Sequence, residues 1–147
     1  SGWVSQVRRQ GRAVVLAILV WGLSIGLGGF ALFFADGTTL PILPIVVAAM
    51  VLAGAADMVS AAFRMTMLQD AADDDVRGRL QGVFIVVVAG GPRIADVAHG
   101  ASAAMVGTAV TFAGGGLLTV VFTVIAALAF PAFWRYRVSR RGEPVSE

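Results

Sequence analysis

Residues 13–35 read AVVLAILVWGLSIGLGGFALFFA, which is 23 consecutive residues without a charged side chain. An α-helix rises about 1.5 Å per residue, and the hydrocarbon core of a bilayer, about 30 Å thick, needs about 20 apolar residues to cross it. This stretch is therefore long enough to cross a membrane as one tilted helix.

The composition of the whole chain also indicates a membrane protein. Of its 147 residues, 58% are hydrophobic and 14% are charged, and the mean hydropathy is +0.85. A soluble domain usually has under about half apolar and about a quarter charged residues, and one soluble core of this length could not bury so much apolar surface. The chain has no cysteine and a single histidine, His99. We therefore expect no enzyme, no catalytic residues, no metal site and no cofactor.

Three further apolar runs follow the first, and each is long enough to cross a bilayer: 40–63, 80–103 and 110–133. The sequence therefore predicts an all-α membrane protein with a single transmembrane region of four helices. Residues 64–79 are predicted as a polar loop and residues 134–147 as a polar tail. Because the chain opens with Ser1 and a polar arm, we expect it to be a fragment of a longer protein.

The basic residues lie on one side of the predicted membrane. Of the eleven arginines, ten lie before the first span, in the 64–79 segment or in the tail, and none lies in the other two connections. The positive-inside rule then predicts that both ends face the cytoplasm. Topology and attraction to anionic lipid explain the pI of about 10.4, so no nucleic-acid partner is expected. The absence of lysine is typical of a GC-rich bacterial genome, which favours a bacterial inner membrane.

Ionisable residues occur inside two of the four spans. Asp57 lies in the second span and Arg93 and Asp96 in the third, whereas the first and fourth have none. A charge within a bilayer costs several kcal/mol (roughly 3 or more) unless it faces protein or water. We therefore predict that spans two and three surround a polar cavity, that spans one and four face lipid, and that these three residues line a substrate and proton pathway.

Their spacing suggests how these charges are arranged. Asp57 lies seven residues before Arg64, about 10 Å from the expected cytoplasmic edge, and Arg93 lies about 21 Å from its own edge. The two residues are therefore predicted to differ in depth. Arg93 and Asp96 are three positions apart on one helical face and could pair locally.

A helix break is predicted at Gly90, Gly91 and Pro92, immediately before Arg93. Proline removes one helical hydrogen bond, and the two glycines loosen the preceding turn. Two interpretations remain open. The segment is either a proline kink supported by neighbouring helices or an unwound stretch whose backbone binds substrate.

Small residues four positions apart predict close helix packing. Gly22 with Gly26, and Ala49 with Ala53, form small-xxx-small pairs of the kind that lets two helices approach closely. They favour a packed helical bundle without identifying a partner.

Two cytoplasmic segments resemble a known family. Residues 64–79 read RMTMLQDAADDDVRGR, and residues 9–12 read RQGR. The first is similar to the loop between helices ten and eleven of major facilitator superfamily exporters, in the branch of the enterobactin and macrolide exporters. The second resembles the end of the loop between helices eight and nine. The chain departs from these patterns at Asp73, where the family turn usually has proline, and at Arg8, where it usually has aspartate.

The resemblance implies that the four spans are helices nine to twelve, part of the C-terminal six-helix bundle, and that helices one to eight are the missing N-terminal part of the same chain. It also assigns a group of residues to cytoplasmic gate segments: Arg9, Gly11, Arg12, Arg64, Gln69, Arg77, Gly78 and Arg79. Their charges could form alternate ion pairs as one bundle rocks against another. A solvated turn whose arginines only follow the topology rule is the alternative.

Together these observations predict the C-terminal part of a secondary active transporter. We expect a proton-coupled exporter, an antiporter that moves small amphipathic molecules of drug or siderophore type out of the cell by alternating access. Its partners would be the small-molecule substrate, protons and the lipid bilayer. The alternative is a small self-assembling four-helix membrane protein, acting as a transporter dimer or as a non-transporting scaffold.

Overall fold

The computed structural model describes residues 9–35, 41–71 and 74–135, and every element in these ranges is a helix. In chain order the helices are α1 (Gln10–Leu32), α2 (Leu43–Ala71), α3 (Asp74–Val106), α4 (Thr108–Ala129) and α5 (Pro131–Trp134). No strand occurs in the described ranges, so the predicted all-helical class is confirmed. Nearly all of the predicted tail lies outside the described residues.

Three helices are long and apolar enough to cross a membrane: α1, residues Leu43–Gln69 of α2, and α4. They correspond to the first, second and fourth predicted spans and are compatible with a multi-pass membrane protein. The third predicted span lies inside α3, the least apolar of the four long helices, whose apolar residues are interrupted by Arg93 and Asp96. In the described part of the chain, length and composition therefore support three of the four spans.

The prediction of a loop at 64–79 is wrong, because most of this segment is helical. Helix α2 continues to Ala71 and α3 begins at Asp74, and only residues 72–73 between them lie outside the described residues. Residues 65–69 contain neither glycine nor proline, so nothing in them stops a helix. The high density of charged residues in this segment was therefore not evidence for a loop.

Helix α3 is helical throughout Gly90–Pro92, so the unwound substrate-binding stretch, one of the two interpretations, is not formed. The proline kink, the other interpretation, stays a prediction. A proline inside a membrane helix frees few backbone groups, and local adjustment of the helix can satisfy them. The backbone is helical on both sides of Pro92, so α3 continues through this position as one helix.

The chain does turn sharply at Gly107, which is the only residue between α3 and α4. Its φ is +89° with ψ 154°, a conformation that is open to glycine and strained for other residues. The hydroxyl of Thr111 donates to the Gly107 carbonyl oxygen at 3.0 Å and closes the first turn of α4. The predicted connection at 104–109 is therefore correct in position and shorter than expected.

The last predicted span ends early. Helix α4 stops at Ala129, Phe130 leaves the helical conformation, and Pro131 begins the short helix α5. Proline lacks the N–H group that would continue α4 but fits the first turn of a new helix. The end of the bundle therefore carries a bend that directs Trp134 towards α1, as its contact with Arg12 shows.

The four long helices lie in the spatial order α2, α1, α4, α3. Helix α1 packs along its length against both α2 and α4, whereas no contact between α2 and α4 occurs among the described residues. Both contacts are antiparallel. Val14 meets Phe63 and Gly28 meets Ala49 on α2, while Gly22 and Gly29 meet successive turns of α4. Helix α3 packs only lightly, on α4.

This order separates α2 from α3, the two helices that were predicted to surround a polar cavity. Helices α2 and α3, which carry Asp57, Arg93 and Asp96, flank the pair α1–α4 and barely touch each other. A cavity enclosed between α2 and α3 is therefore not formed by the described residues. The reason is that glycine-lined faces draw α1 and α4 together, and α4 follows α3 after a single residue.

Candidate functional site

Helices α1 and α4 pack directly against each other, and the helices with the intramembrane charges pack on their outer sides, α2 on α1 and α3 on α4. A Cβ atom placed on Gly116 of α4 would meet the Gly22 carbonyl oxygen at 2.5 Å and would also collide with the Gly26 backbone nitrogen. A Cβ on Gly29 would collide with the backbone of Ala113. The two backbones are therefore in direct contact. The predicted packing role of Gly22 and Gly26 is confirmed, and its partner is Gly116.

The second small pair also lies at an interface. On α2, Ala53 is buried, and the Ala49 methyl group lies 3.3 Å from where a Cβ of Gly28 would be. Helix α1 thus presents glycines to both neighbours, Gly28 to α2 and Gly22, Gly26 and Gly29 to α4. This places α1 between α2 and α4, in the interior of the row.

Asp57 forms an ion pair within its own helix. Its Oδ1 accepts a hydrogen bond from Nη2 of Arg64 at 3.4 Å, and the Arg64 Nε also donates to the Ser60 carbonyl oxygen at 3.4 Å. The pair is partly exposed, with 54% of the Asp57 side chain and 39% of the Arg64 side chain accessible. The seven-residue spacing is two helical turns and could have predicted this pairing, but Arg64 was placed in a loop.

Asp57 lies in the middle of α2 by residue count. The helix continues past Arg64 to Ala71, so fourteen residues, about 21 Å, separate Asp57 from its end. The expected distance of about 10 Å from Asp57 to the membrane edge was counted from Arg64 and stays a prediction.

Arg93 and Asp96 both lie exposed on α3. No ion pair joins them, and across the described ranges the one ion pair is Asp57–Arg64. Nearby, the His99 Nε2 lies 3.8 Å from the Cβ position of Gly115, which marks the face that α3 presents to α4. Two charged side chains thus project from a lightly packed helix.

The predicted gate residues are distributed over three helices. Arg9 precedes α1, Gly11 and Arg12 are in its first turn, Arg64 and Gln69 are in α2, and Arg77, Gly78 and Arg79 are in α3. The side chain of Arg77 lies outside the described residues. The 64–79 segment is divided between α2 and α3. Its α2 part lies beside the start of α1, where Met67 packs against the Val14–Phe63 cluster, whereas α1 and α3 make no contact within the described residues.

A basic pocket lies where α1 begins and α5 ends. It has a volume of about 340 Å³ and is lined by Arg9, Arg12, Trp134 and Arg135. The Arg12 guanidinium lies over the Trp134 ring, 5.3 Å from its centroid, which is within the range of a cation–π contact. The Arg12 Nε is buried and has no hydrogen-bond partner in the described structure. Sequence analysis assigned Arg9 and Arg12 to a gate and missed this pocket, since its other two residues are over 120 positions away.

An apolar groove of about 560 Å³ adjoins the basic pocket. It lies between α1, α4 and α5 and is lined by Val15, Ile18, Phe122, Thr123, Ala126, Ala127, Phe130, Ala132 and Phe133. Of its lining residues, Val15 lies about one turn after the pocket residue Arg12, and Phe133 lies one position before the pocket residue Trp134. Charged and apolar recesses are thus continuous along one edge of the bundle.

Among the described residues, no group of three or more histidine or acidic side chains could hold a metal ion. Comparison with known proteins found that no protein-family model, no curated protein and no solved structure matches this chain. Function is therefore argued from the positions of its own residues.

Proposed function

We propose that this chain is the C-terminal part of a secondary active transporter, in which α2 and α3 line the transport pathway and α1 and α4 form the lipid-facing frame. The observation that carries the proposal is the separation of charge. Intramembrane ionisable residues occur on the two flanking helices, and the tightly packed central pair has none.

The exposure of these charges supports a pathway. Arg93 and Asp96 are exposed on α3, and the Asp57–Arg64 pair is partly exposed on α2. Facing lipid, each charge would cost several kcal/mol (roughly 3 or more), so these faces must meet water or further protein. Additional helices of the same chain would supply it, as the resemblance to helices nine to twelve of major facilitator exporters implies.

The Asp57–Arg64 pair offers a means of proton coupling. While Asp57 is ionised it holds the Arg64 guanidinium two turns along the helix. Uptake of a proton removes the carboxylate charge and frees Arg64 to contact another acceptor. A charge that moves between two partners can favour one of two bundle arrangements, as alternating access requires. The proposed transporter is an exporter of small amphipathic molecules in a bacterial inner membrane, with both ends of the segment in the cytoplasm.

Accessibility to water tests the pathway without knowledge of the substrate. Val97 lies one turn after Arg93 on the same face of α3, and Leu23 lies in the uncharged part of α1; both are exposed in the described structure. In the full-length protein on a cysteine-free background, a membrane-impermeant maleimide should label Val97→Cys in native membranes. Leu23→Cys, facing lipid, should stay unlabelled. Equal protection of both sites would contradict an aqueous pathway along α3.

Self-assembly is the second candidate, favoured by the large apolar side chains exposed on α2 and α3, such as Val51 and Val97. A second copy of the chain could cover these faces instead of further helices. In that case Val97→Cys would be protected from the maleimide and would cross-link to a neighbouring copy.

A further inference from the structure

The basic pocket has chemistry that the proposed transport pathway does not use. Three arginines and a tryptophan line it, and none of its lining residues is acidic. Among the described residues, none of Arg9, Arg12 and Arg135 forms an ion pair. Guanidinium groups gathered without a carboxylate repel one another, so an anion would stabilise their arrangement.

The start of α1 adds to this positive field. The first turn of α1 contains no acidic residue, and the residue that precedes it, Arg9, makes no side-chain capping hydrogen bond. Backbone N–H groups at a helix start carry partial positive charge and can bind an anion. Together with the buried and unpartnered Arg12 Nε, they make a donor-rich site.

The adjoining apolar groove favours a phospholipid over a free inorganic anion as the ligand of the pocket. A free inorganic anion would need the charged pocket alone, whereas a phospholipid presents a phosphate joined directly to apolar chains. From Arg12 to Val15, and from Arg135 to Phe133, the lining changes from charged to apolar within one turn, about 5 Å. The pocket also lies at an end of membrane-crossing helices, where phosphate groups of lipids are found.

We infer that Arg9, Arg12, Trp134 and Arg135 bind the phosphate of an anionic phospholipid, and that the groove between α1, α4 and α5 holds one of its acyl chains. The guanidinium of Arg12 rests on the Trp134 ring and donates to the phosphate. Arg9 and Arg135 approach it from the two sides of the pocket. This site is separate from Asp57, Arg93 and Asp96 and does not depend on the proposed transport function.

The test uses the full-length protein in a mild detergent, titrated with dioleoylphosphatidylglycerol or dioleoylphosphatidylcholine and followed by native mass spectrometry. We expect phosphatidylglycerol to bind about tenfold more tightly than phosphatidylcholine, because the zwitterionic headgroup carries its own cation. Arg12→Gln should weaken phosphatidylglycerol binding about tenfold. The matched control is Arg79→Gln, which removes the same charge from an exposed position on α3, outside the pocket. This variant should change phosphatidylglycerol binding by less than about twofold.

A second variant tests the acyl chain and does not depend on Arg12. Ala126→Trp fills the groove and leaves the four pocket residues intact, so it should weaken phosphatidylglycerol binding while binding of glycerol phosphate is unchanged. The inference is wrong if phosphatidylcholine binds as tightly as phosphatidylglycerol, or if Arg79→Gln weakens binding as much as Arg12→Gln. It is equally wrong if millimolar inorganic phosphate displaces the lipid, or if Ala126→Trp has no effect.

Discussion

Asp57 and Arg64 show how a single side-chain contact changes the interpretation of a charged residue. In the sequence, Asp57 is an isolated carboxylate inside an apolar run. In the structure its carboxylate accepts a hydrogen bond from a guanidinium two turns later. The pair is partly exposed and on one helix, so its contribution to stability is small, roughly 1 kcal/mol or less. Its proposed role is to position the Arg64 guanidinium.

Neutralising Asp57 should therefore alter coupling more than folding. In the full-length protein, Asp57→Asn removes the ion pair and leaves the amide in its place. We expect efflux of an amphipathic cationic dye such as ethidium to lose most of its dependence on the pH gradient, at unchanged membrane abundance. The measurement is dye efflux from cells at several external pH values. Asp96→Asn, on a different helix, is the matched control for loss of a carboxylate.

An unchanged pH profile in Asp57→Asn would remove this residue from proton coupling. A loss of pH dependence in Asp96→Asn alone would transfer the role to α3. Either outcome leaves the ion pair as a structural contact between two turns of α2.

Among the elements, the α1–α4 pair shows which glycines support packing. Gly114 and Gly116 lie two positions apart on α4, yet a Cβ at Gly114 would meet nothing within 4 Å, while one at Gly116 would meet the α1 backbone. The two glycines thus point to opposite sides of one helix. Only the second is required for the helices to approach.

Gly116→Ala should separate α1 from α4 and lower the free energy of unfolding by about 1–3 kcal/mol, the usual effect of overpacking. Gly114→Ala is the matched control and should be neutral or stabilise by up to about 1 kcal/mol, because alanine favours the helix. Thermal unfolding of both variants in detergent measures the difference. Equal stability of the two variants would mean that the backbones do not touch at Gly116.

For the whole molecule, the spatial order α2, α1, α4, α3 places the charged helices at the two edges. Large apolar side chains are also exposed along these edges. Apolar side chains are exposed on the central helices too, so the edges differ from the centre in their charged residues and in their loose packing.

The order can be tested by cross-linking. Val14 of α1 and Phe63 of α2 are packed in one buried cluster, whereas Val14 and Ile94 of α3 lie on helices that do not touch. Val14→Cys with Phe63→Cys should form a disulfide within one chain under mild oxidation. Val14→Cys with Ile94→Cys should form none. Gel mobility distinguishes a disulfide within a chain from one between chains, and a bond between chains would favour self-assembly.

The sequence by itself determined the helices and their apolar character. Long apolar runs must satisfy their backbone hydrogen bonds internally in a membrane, so they become helices wherever no strong stop intervenes. The connection between residues 103 and 110 and the packing glycines Gly22 and Gly26 could likewise be predicted. Local rules were wrong where charge was taken for a loop over most of 64–79, and the unwound alternative at Gly90–Pro92 was also wrong, while the kink at Pro92 stays a prediction.

Only the tertiary structure decided which helices are neighbours. The partner of Gly22 is Gly116, and the pocket joins Arg12 to Trp134, residues more than 90 and 120 positions apart. Such contacts depend on how whole helix faces fit, and many faces of one apolar chain are equally hydrophobic. Hydrophobicity therefore determined that these segments become helices, while close backbone packing selected one arrangement of them.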